Sequence, residues 1–188
     1  MRCFIAVDID EGIKAALGDL QQEMAAAADI GKSDVKWVRP DSMHLTLKFL
    51  GEIRDRDAVD ICNTAKAVAA GHDAFTFAVS EVGYFGGAGA RVLWVGAGLD
   101  CPELLELQQD LEEQLAGIGW PKEGRKFSGH LTLCRVRNSK AGFELARLTE
   151  QYKDFDLGIV QCDSLTVYQS ELRPEGPLYT SLGHFKLR

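Results

Sequence analysis

Apolar and polar residues alternate with a period of two along several short stretches of the chain. Between these stretches, apolar residues recur at spacings of three and four. The first pattern is typical of half-buried strands and the second of helices with one buried face. We predict strands at 2–9, 43–50, 74–82, 91–97, 127–136, 158–168 and 179–187, and helices at 11–27, 57–70, 102–115 and 141–152.

The order of these elements mixes strands and helices along the whole chain. It predicts an α+β fold with substantial antiparallel pairing. The length of 188 residues fits a single domain over 1–188, made of two intimately packed lobes. The glycine-rich segment 84–89 lacks the lysine and the spacing of a phosphate-binding loop, so we predict a hairpin loop there.

A tetrapeptide, His-Leu-Thr-Leu, occurs twice, at 44–47 and at 130–133, and half of the four histidines of the chain lie in it. Residues two apart on a strand point to the same face. His44 and Thr46 therefore share one face, as do His130 and Thr132, while the leucines point to the other. The pattern indicates duplication of a functional part, with two His-Thr pairs outside a leucine core.

Two imidazoles and two hydroxyls can serve displacement at phosphorus. One histidine acts as the base on the nucleophile, the other as the acid on the leaving oxygen, and the hydroxyls donate to the oxygens where charge accumulates. On symmetry alone either histidine can take either role. A single His-x-Thr would indicate only a half-exposed histidine beside a β-favouring threonine in an ordinary strand. Two histidines lack the third ligand of a zinc site, so we predict no metal and no cofactor.

The net charge of −7 argues against a large nonspecific surface for nucleic acid. The charge is unevenly distributed, however, because six cations surround the second repeat with a single acid, Glu123. A local basic patch suits a small anionic ligand or the end of a nucleic-acid strand. The alternative is a solvated cationic loop. The six cations are Lys122, Arg125, Lys126, Arg135, Arg137 and Lys140.

The five cysteines are scattered and form no C-x-x-C pair, which is typical of reduced thiols in a cytoplasmic protein. No apolar run has the length of a membrane span, and the chain reaches Asp8 too soon for a signal peptide. We expect a cytoplasmic monomer without a membrane partner. Cys134 follows the second repeat, but alternation points it away from His130, so we expect a buried apolar role for it.

The two motifs, together with an ordered set of shorter segments, resemble the 2H phosphoesterase superfamily. The similarity is greatest to its RNA 2′,3′-cyclic phosphodiesterases, also called 2′-5′ RNA ligases. This resemblance implies a bilobal fold with pseudo-twofold symmetry, in which two antiparallel sheets form a central cleft and helices pack outside. The segments are 2–7, Trp37-Val38-Arg39-Pro40, 44–52, Arg91-Val92-Leu93-Trp94, 168–172 and Pro174-Glu175-Gly176-Pro177-Leu178-Tyr179.

The resemblance also implies metal-independent opening of a ribose 2′,3′-cyclic phosphate to leave a 2′-phosphate. It makes His44 the donor of a proton to the departing 3′-oxygen and His130 the acceptor of a proton from water. Thr46 and Thr132 would hold the phosphate oxygens. The family motif carries an arginine after its second copy, matched here by Arg135. An offset of five from His130 puts Arg135 on the opposite face of an ideal strand, so a twist, a bulge or action from the strand's end is required.

Three functions remain open from the sequence. The first is hydrolysis of cyclic phosphate at RNA ends or on small 2′,3′-cyclic nucleotides, the second is 2′-5′ ligation at the same site, and the third is binding without turnover. The segment Ser128-Gly129 before the second histidine departs from many relatives and leaves the local backbone path open. Aromatic residues could stack on a base, although we expect core packing for most of them; the candidates are Phe49, Tyr84, Phe85 and Trp120.

Overall fold

A computed structural model describes residues 1–174 and 176–188; Glu175, part of one segment that carries the resemblance, lies outside the described residues. The described chain forms nine strands and four α-helices. The strands are β1 (Arg2–Asp8), β2 (Val35–Trp37), β3 (His44–Glu52), β4 (Phe75–Gly86), β5 (Ala90–Ala97), β6 (His130–Val136), β7 (Asp156–Cys162), β8 (Ser164–Arg173) and β9 (Gly176–Lys186). The helices are α1 (Glu11–Ala27), α2 (Ala58–Gly71), α3 (Pro102–Gly117) and α4 (Ser139–Leu148).

The strands form two antiparallel sheets with corresponding strand orders. The first sheet has the order β3-β1-β8-β9 and the second the order β2-β6-β5-β4-β7. Without β2, the second order becomes β6-β5-β4-β7, which matches the first strand for strand. The two copies of the repeated motif begin β3 and β6, at equivalent places. The predicted α+β fold with pseudo-twofold duplication and a central cleft is confirmed.

Each sheet is covered by one helix from each half of the chain. Helix α2 packs on β8 and β9, and α3 packs on β3, so both lie on the first sheet. Helix α1 contacts β7, and α4 contacts β5 and β6, so these two lie on the second sheet. In the duplicated order α1 corresponds to α3, and each of them lies on the sheet that contains the other half's repeated motif. The two halves therefore exchange their first helices.

The helix starts follow from capping chemistry in the sequence. The side chain of Asp10 accepts a hydrogen bond from the backbone N–H of Ile13 (2.9 Å), and the side chain of Asn138 accepts one from Ala141 (2.9 Å). Helix α3 begins at Pro102, where the missing N–H costs little. The predicted apolar stripes are buried against the sheets. They join one continuous hydrophobic core that includes both sheets.

The structure corrects three predicted elements and adds one strand. The predicted strand 158–168 is two strands, because the chain passes from the second sheet to the first at Asp163, a change that β-periodicity does not reveal. Strand β2 was not predicted, since three residues are too few for a periodic pattern. Residues 84–86 belong to β4, so only 87–89 form the hairpin loop. The fourth helix ends at Leu148 and continues as a 3₁₀ turn.

Within residues 1–174 and 176–188, the helices are too short or too polar for any of them to cross a membrane.

Candidate active site

The two His-Leu-Thr-Leu motifs adopt the same pattern of burial. His44 and Thr46 on β3 are half-buried, and so are His130 and Thr132 on β6. The four leucines between and after them are buried, at no more than 3% exposure. Each His-Thr pair therefore lies on one strand face, and the leucines of each motif lie in the core.

A β-bulge lies at the last residue of each motif. On β3, Thr46 pairs with Ala6 and Lys48 with Ile5, so one residue lies unpaired between them. On β6, Thr132 pairs with Trp94 and Cys134 with Leu93, which leaves the corresponding residue unpaired. The extra residues are Leu47 and Leu133. A bulge shifts the alternation of all residues that follow it by one position.

The bulge explains how Arg135 can share a face with His130 despite the odd offset between them. Leu133 and Cys134 are both buried, and Arg135 is exposed on the side that His130 and Thr132 occupy. Of the three alternatives left by the sequence, the structure contains the bulge. The equivalent residue on β3 is Phe49, which is 51% exposed. The duplicated site thus has a cation at one end and an aromatic ring at the equivalent place on the other strand.

His44 lies among aromatic rings. The ring of Phe4 stacks on it with a centroid distance of 4.5 Å, and Tyr179 approaches edge-on at 5.1 Å. Burial lowers the pKa of His44 to about 4, and a backbone hydrogen bond with Ser42 and the negative charge of Asp8 act in the opposite direction. His44 is therefore neutral near pH 7 when no ligand is bound.

Asp8 was not singled out from the sequence as a site residue. It is the direct cross-strand partner of His44, which places their side chains on the same face. Its two carboxylate oxygens accept hydrogen bonds from the hydroxyl of Tyr168 (2.6 Å) and from Thr166 (2.8 Å). Nδ1 of His184 lies 2.9 Å from the same Thr166 oxygen. A single sequence offers no signal for this network, since its members come from β1, β8 and β9.

His130 is held differently. Its Nδ1 lies 2.7 Å from the carbonyl oxygen of Ser128, and Phe85 approaches its ring edge-on at 4.9 Å. A carbonyl oxygen only accepts, so Nδ1 carries a proton, and in the neutral tautomer the lone pair is on Nε2. Gly129 is required where the chain enters β6, because a Cβ there would lie 2.0 Å from the carbonyl oxygen of Ala97.

The two motifs converge although they belong to different sheets. Strands β3 and β6 lie against each other. Burial raises the pKa of Tyr179, and the positive charge of Arg135 opposes that shift. Arg135 on β6 is thus close enough to act electrostatically on a ring that contacts His44. The structure brings the four His and Thr side chains and Arg135 to facing strands.

The remaining candidates divide between the core and the surface. Cys134 is fully buried, and burial raises the pKa of its thiol to about 12, which is unsuited to a nucleophile. Phe85 is 40% exposed, so it and Phe49 do not have the core role expected for most of the aromatics. Tyr84 and Trp120 are half-buried against the core. No group of three or more His, Cys, Asp or Glu suited to a metal ion occurs in the described part of the chain.

Comparisons with known proteins give one consistent family. The family described as LigT like phosphoesterase matches residues 7–94 and 100–179. A Methanothermobacter thermautotrophicus protein named RNA 2′,3′-cyclic phosphodiesterase is 30% identical, over all of this chain and 99% of the relative. A Thermotoga maritima protein of the same name is 32% identical, over 97% of this chain and 93% of its own length.

Solved structures agree with these relatives in fold. The crystal structure of TT0787 from Thermus thermophilus has a TM-score of 0.82 at 27% identity and covers all of this chain and 98% of its own. E. coli LigT complexed with 3′-AMP has a TM-score of 0.78 at 24% identity, with coverage of 99% and 97%.

Proposed function

The chain belongs to the LigT-like phosphoesterase family, and on that premise we propose that it is an RNA 2′,3′-cyclic phosphodiesterase. The observation that carries the proposal is the pair of His-Thr faces on β3 and β6, equivalent in position and unlike in surroundings. The proposed substrate is a ribose 2′,3′-cyclic phosphate at an RNA end or on a small nucleotide. The proposed product is a 2′-phosphomonoester.

In the proposed mechanism, water attacks phosphorus while Nε2 of His130 takes one of its protons. The hydrogen bond of Nδ1 to Ser128 fixes the tautomer that this step needs. The bond between phosphorus and the 3′-oxygen breaks, and His44 gives its proton to that oxygen. The oxygens of the phosphate receive hydrogen bonds from Thr46, Thr132 and Arg135, where negative charge accumulates. Both proton transfers are made by imidazoles, so the mechanism requires no metal.

Burial makes His44 neutral in the free protein, whereas the mechanism needs it protonated. Two sources of negative charge favour the imidazolium form. Asp8 is fixed beside it by the hydrogen bonds of Tyr168 and Thr166, and the cyclic phosphate brings an anion when it binds. Substrate binding therefore promotes protonation of the acid. An isolated buried imidazolium would be costly without such partners.

The test is turnover of a 2′,3′-cyclic nucleotide in the presence of a chelator. We expect hydrolysis to the 2′-phosphate, and a loss of about 10²–10⁴-fold in His44→Ala and in His130→Ala. His72→Gln is the matched control, since His72 bonds to Asp110 at 3.1 Å on another part of the surface and should leave the rate unchanged. Activity that survives both alanine substitutions, or that disappears with the chelator, contradicts the mechanism.

Two further measurements test ligation and binding without turnover. A 2′-5′ linkage formed from two RNA ends at high end concentration supports ligation by the same groups, because a catalyst accelerates both directions. Calorimetry that shows tight binding while the cyclic phosphate is recovered unchanged supports a binding module instead. Both His-Thr pairs are intact and half-exposed, which favours catalysis.

A further inference from the structure

We infer that residues 118–129, the segment between α3 and β6, bind the RNA strand that precedes the terminal cyclic phosphate. This segment is called the basic linker below. The inference rests on the proposed function and extends it from the reacting phosphate to the phosphates behind it. It assigns a contact surface to the nucleotides that precede the terminal one.

The linker carries cations that the protein leaves without a counter-charge. Lys122 forms an ion pair with Glu113 on α3. Arg125 and Lys126 are exposed, and among the residues the structure describes no carboxylate lies within 4.0 Å of either of them. The chain as a whole has a net charge of −7, and Arg125 and Lys126 are two adjacent exposed cations in the segment that leads into the second motif.

The start of the linker is anchored to the first motif strand by a buried charge pair. Nζ of Lys48, on β3 directly after the bulge, lies 2.9 Å from Glu112 of α3 and donates a hydrogen bond to the carbonyl oxygen of Pro121 (2.7 Å). The backbone N–H of Glu123 donates to the same Glu112 carboxylate (3.0 Å). The side chains of the pair are only 3% and 9% exposed. Breaking such a pair is costly, so this end of the linker is firmly held.

The other end of the linker leads into the second motif. Ser128 holds the ring of His130 through its carbonyl oxygen, and Gly129 accepts a hydrogen bond from the backbone of Ala97 (3.0 Å). The linker therefore runs from β3 to β6, beside the place where the two motif strands meet. Lys126 lies four residues before His130, so their Cα atoms are at most about 14 Å apart.

The proposed function already assigns the reacting phosphate to residues outside the linker. Thr46, Thr132 and Arg135 already provide donors for one phosphate. A free cyclic nucleotide has no further phosphate, and it leaves Arg125 and Lys126 without a ligand. An RNA strand continues with one phosphate per nucleotide, and long cationic side chains are the usual contacts to such a backbone.

The experiment compares two substrates in one double variant. The kcat/KM of Arg125→Gln/Lys126→Gln is measured on a 2′,3′-cyclic mononucleotide and on a short single-stranded RNA that ends in the same cyclic phosphate. We expect at least a tenfold loss on the RNA and no change on the mononucleotide. The dependence of RNA affinity on salt should also weaken, with the slope of log K against log salt smaller by about 1.4 for two lost phosphate contacts.

The control removes the same charge elsewhere. Lys66→Gln/Lys153→Gln changes two exposed lysines outside the linker and should affect neither substrate. An equal loss on both substrates, or no loss on either, overturns the inference, and so does an equal loss on RNA in the control. Turnover of the mononucleotide by the wild-type protein tests the proposed function separately, so the two failures are distinguishable. The same rate reports that the linker variant is folded.

Discussion

At the scale of single residues, the repeated motif has two environments. His44 is packed under Phe4 and Tyr179 and has a depressed pKa, whereas His130 is oriented by the carbonyl oxygen of Ser128. The sequence predicts both histidines and both threonines as site candidates, since the repeat and strand alternation suffice. It does not predict the contrast between them. That contrast depends on which distant side chains reach each ring, and these come from β1, β4 and β9.

Titration of the imidazoles by NMR tests the environment of His44. We expect its pKa to lie near 4 in the free protein and to rise when inorganic phosphate is bound. In Asp8→Asn the pKa should fall further, because the nearby negative charge is lost. A pKa of His44 that is the same in Asp8→Asn and in the wild type contradicts the role of Asp8.

The lowered pKa of His44 determines the direction in which folding stability changes with pH. The pKa of His44 is about 4 in the folded protein and 6.5 as an ordinary histidine, so the unfolded chain binds more protons between these pH values. The stability that the neutral ring provides is present above pH 6.5 and is lost as the pH falls toward 4.

At the scale of elements, the bulges at the ends of the two motifs determine which side chains face the cleft. A buried glutamine lies at each bulge and comes from the other half of the chain. Gln21 on α1 donates hydrogen bonds to the carbonyl oxygens of Leu133 (2.9 Å) and Val38 (2.7 Å). Gln108 on α3 donates to the carbonyl oxygen of Leu47 (3.4 Å). The exchanged helices thus support the bulges through equivalent residues.

A double-mutant cycle tests whether Gln21 acts through Arg135. Gln21→Met keeps the volume and removes the donors, so the bulge and the position of Arg135 should relax. We expect Gln21→Met to lower kcat/KM about tenfold, or ~1.4 kcal/mol, in the wild type and to have almost no effect when Arg135→Gln is already present. A purely structural loss of a buried hydrogen bond would instead lower activity equally in both backgrounds.

Gln108→Met is the matched control for this cycle. It acts at the bulge of β3, which precedes Phe49, so its effect should be the same with and without Arg135. Thermal midpoints of all variants establish that they are folded. Equal coupling of both glutamines to Arg135 contradicts the assignment. A single sequence does not establish the bulges, since the last leucine of each motif also fits an uninterrupted strand. Only the odd offset of Arg135 from His130 makes a bulge one of three alternatives on β6.

At the scale of the whole molecule, most of the fold follows from local patterns. The repeated motif indicates duplication, and the family resemblance implies the two-lobed architecture. The exchange of α1 and α3 between the sheets could not be predicted, because both helices have the same kind of apolar stripe and either sheet could bury it. The choice depends on the connections and on pairing over long sequence separations. The sheet that each helix covers also determines whether either lobe can be stable alone.

We propose that the chain is a monomer and that it unfolds as one domain. Neither sheet is covered without a helix from the other half, so the two lobes depend on each other for their packing. Hydrogen exchange in denaturant should give the same opening free energy for the slowest amides of β1 and of β5. Leu107→Ala removes a fully buried side chain of α3 and should lower both values by the same amount, about 2–5 kcal/mol.

Leu17→Ala on α1 is the reciprocal test, and its effect should also reach both sheets. A midpoint independent of protein concentration supports the monomer. Lower protection in one sheet only would show that the lobes fold separately.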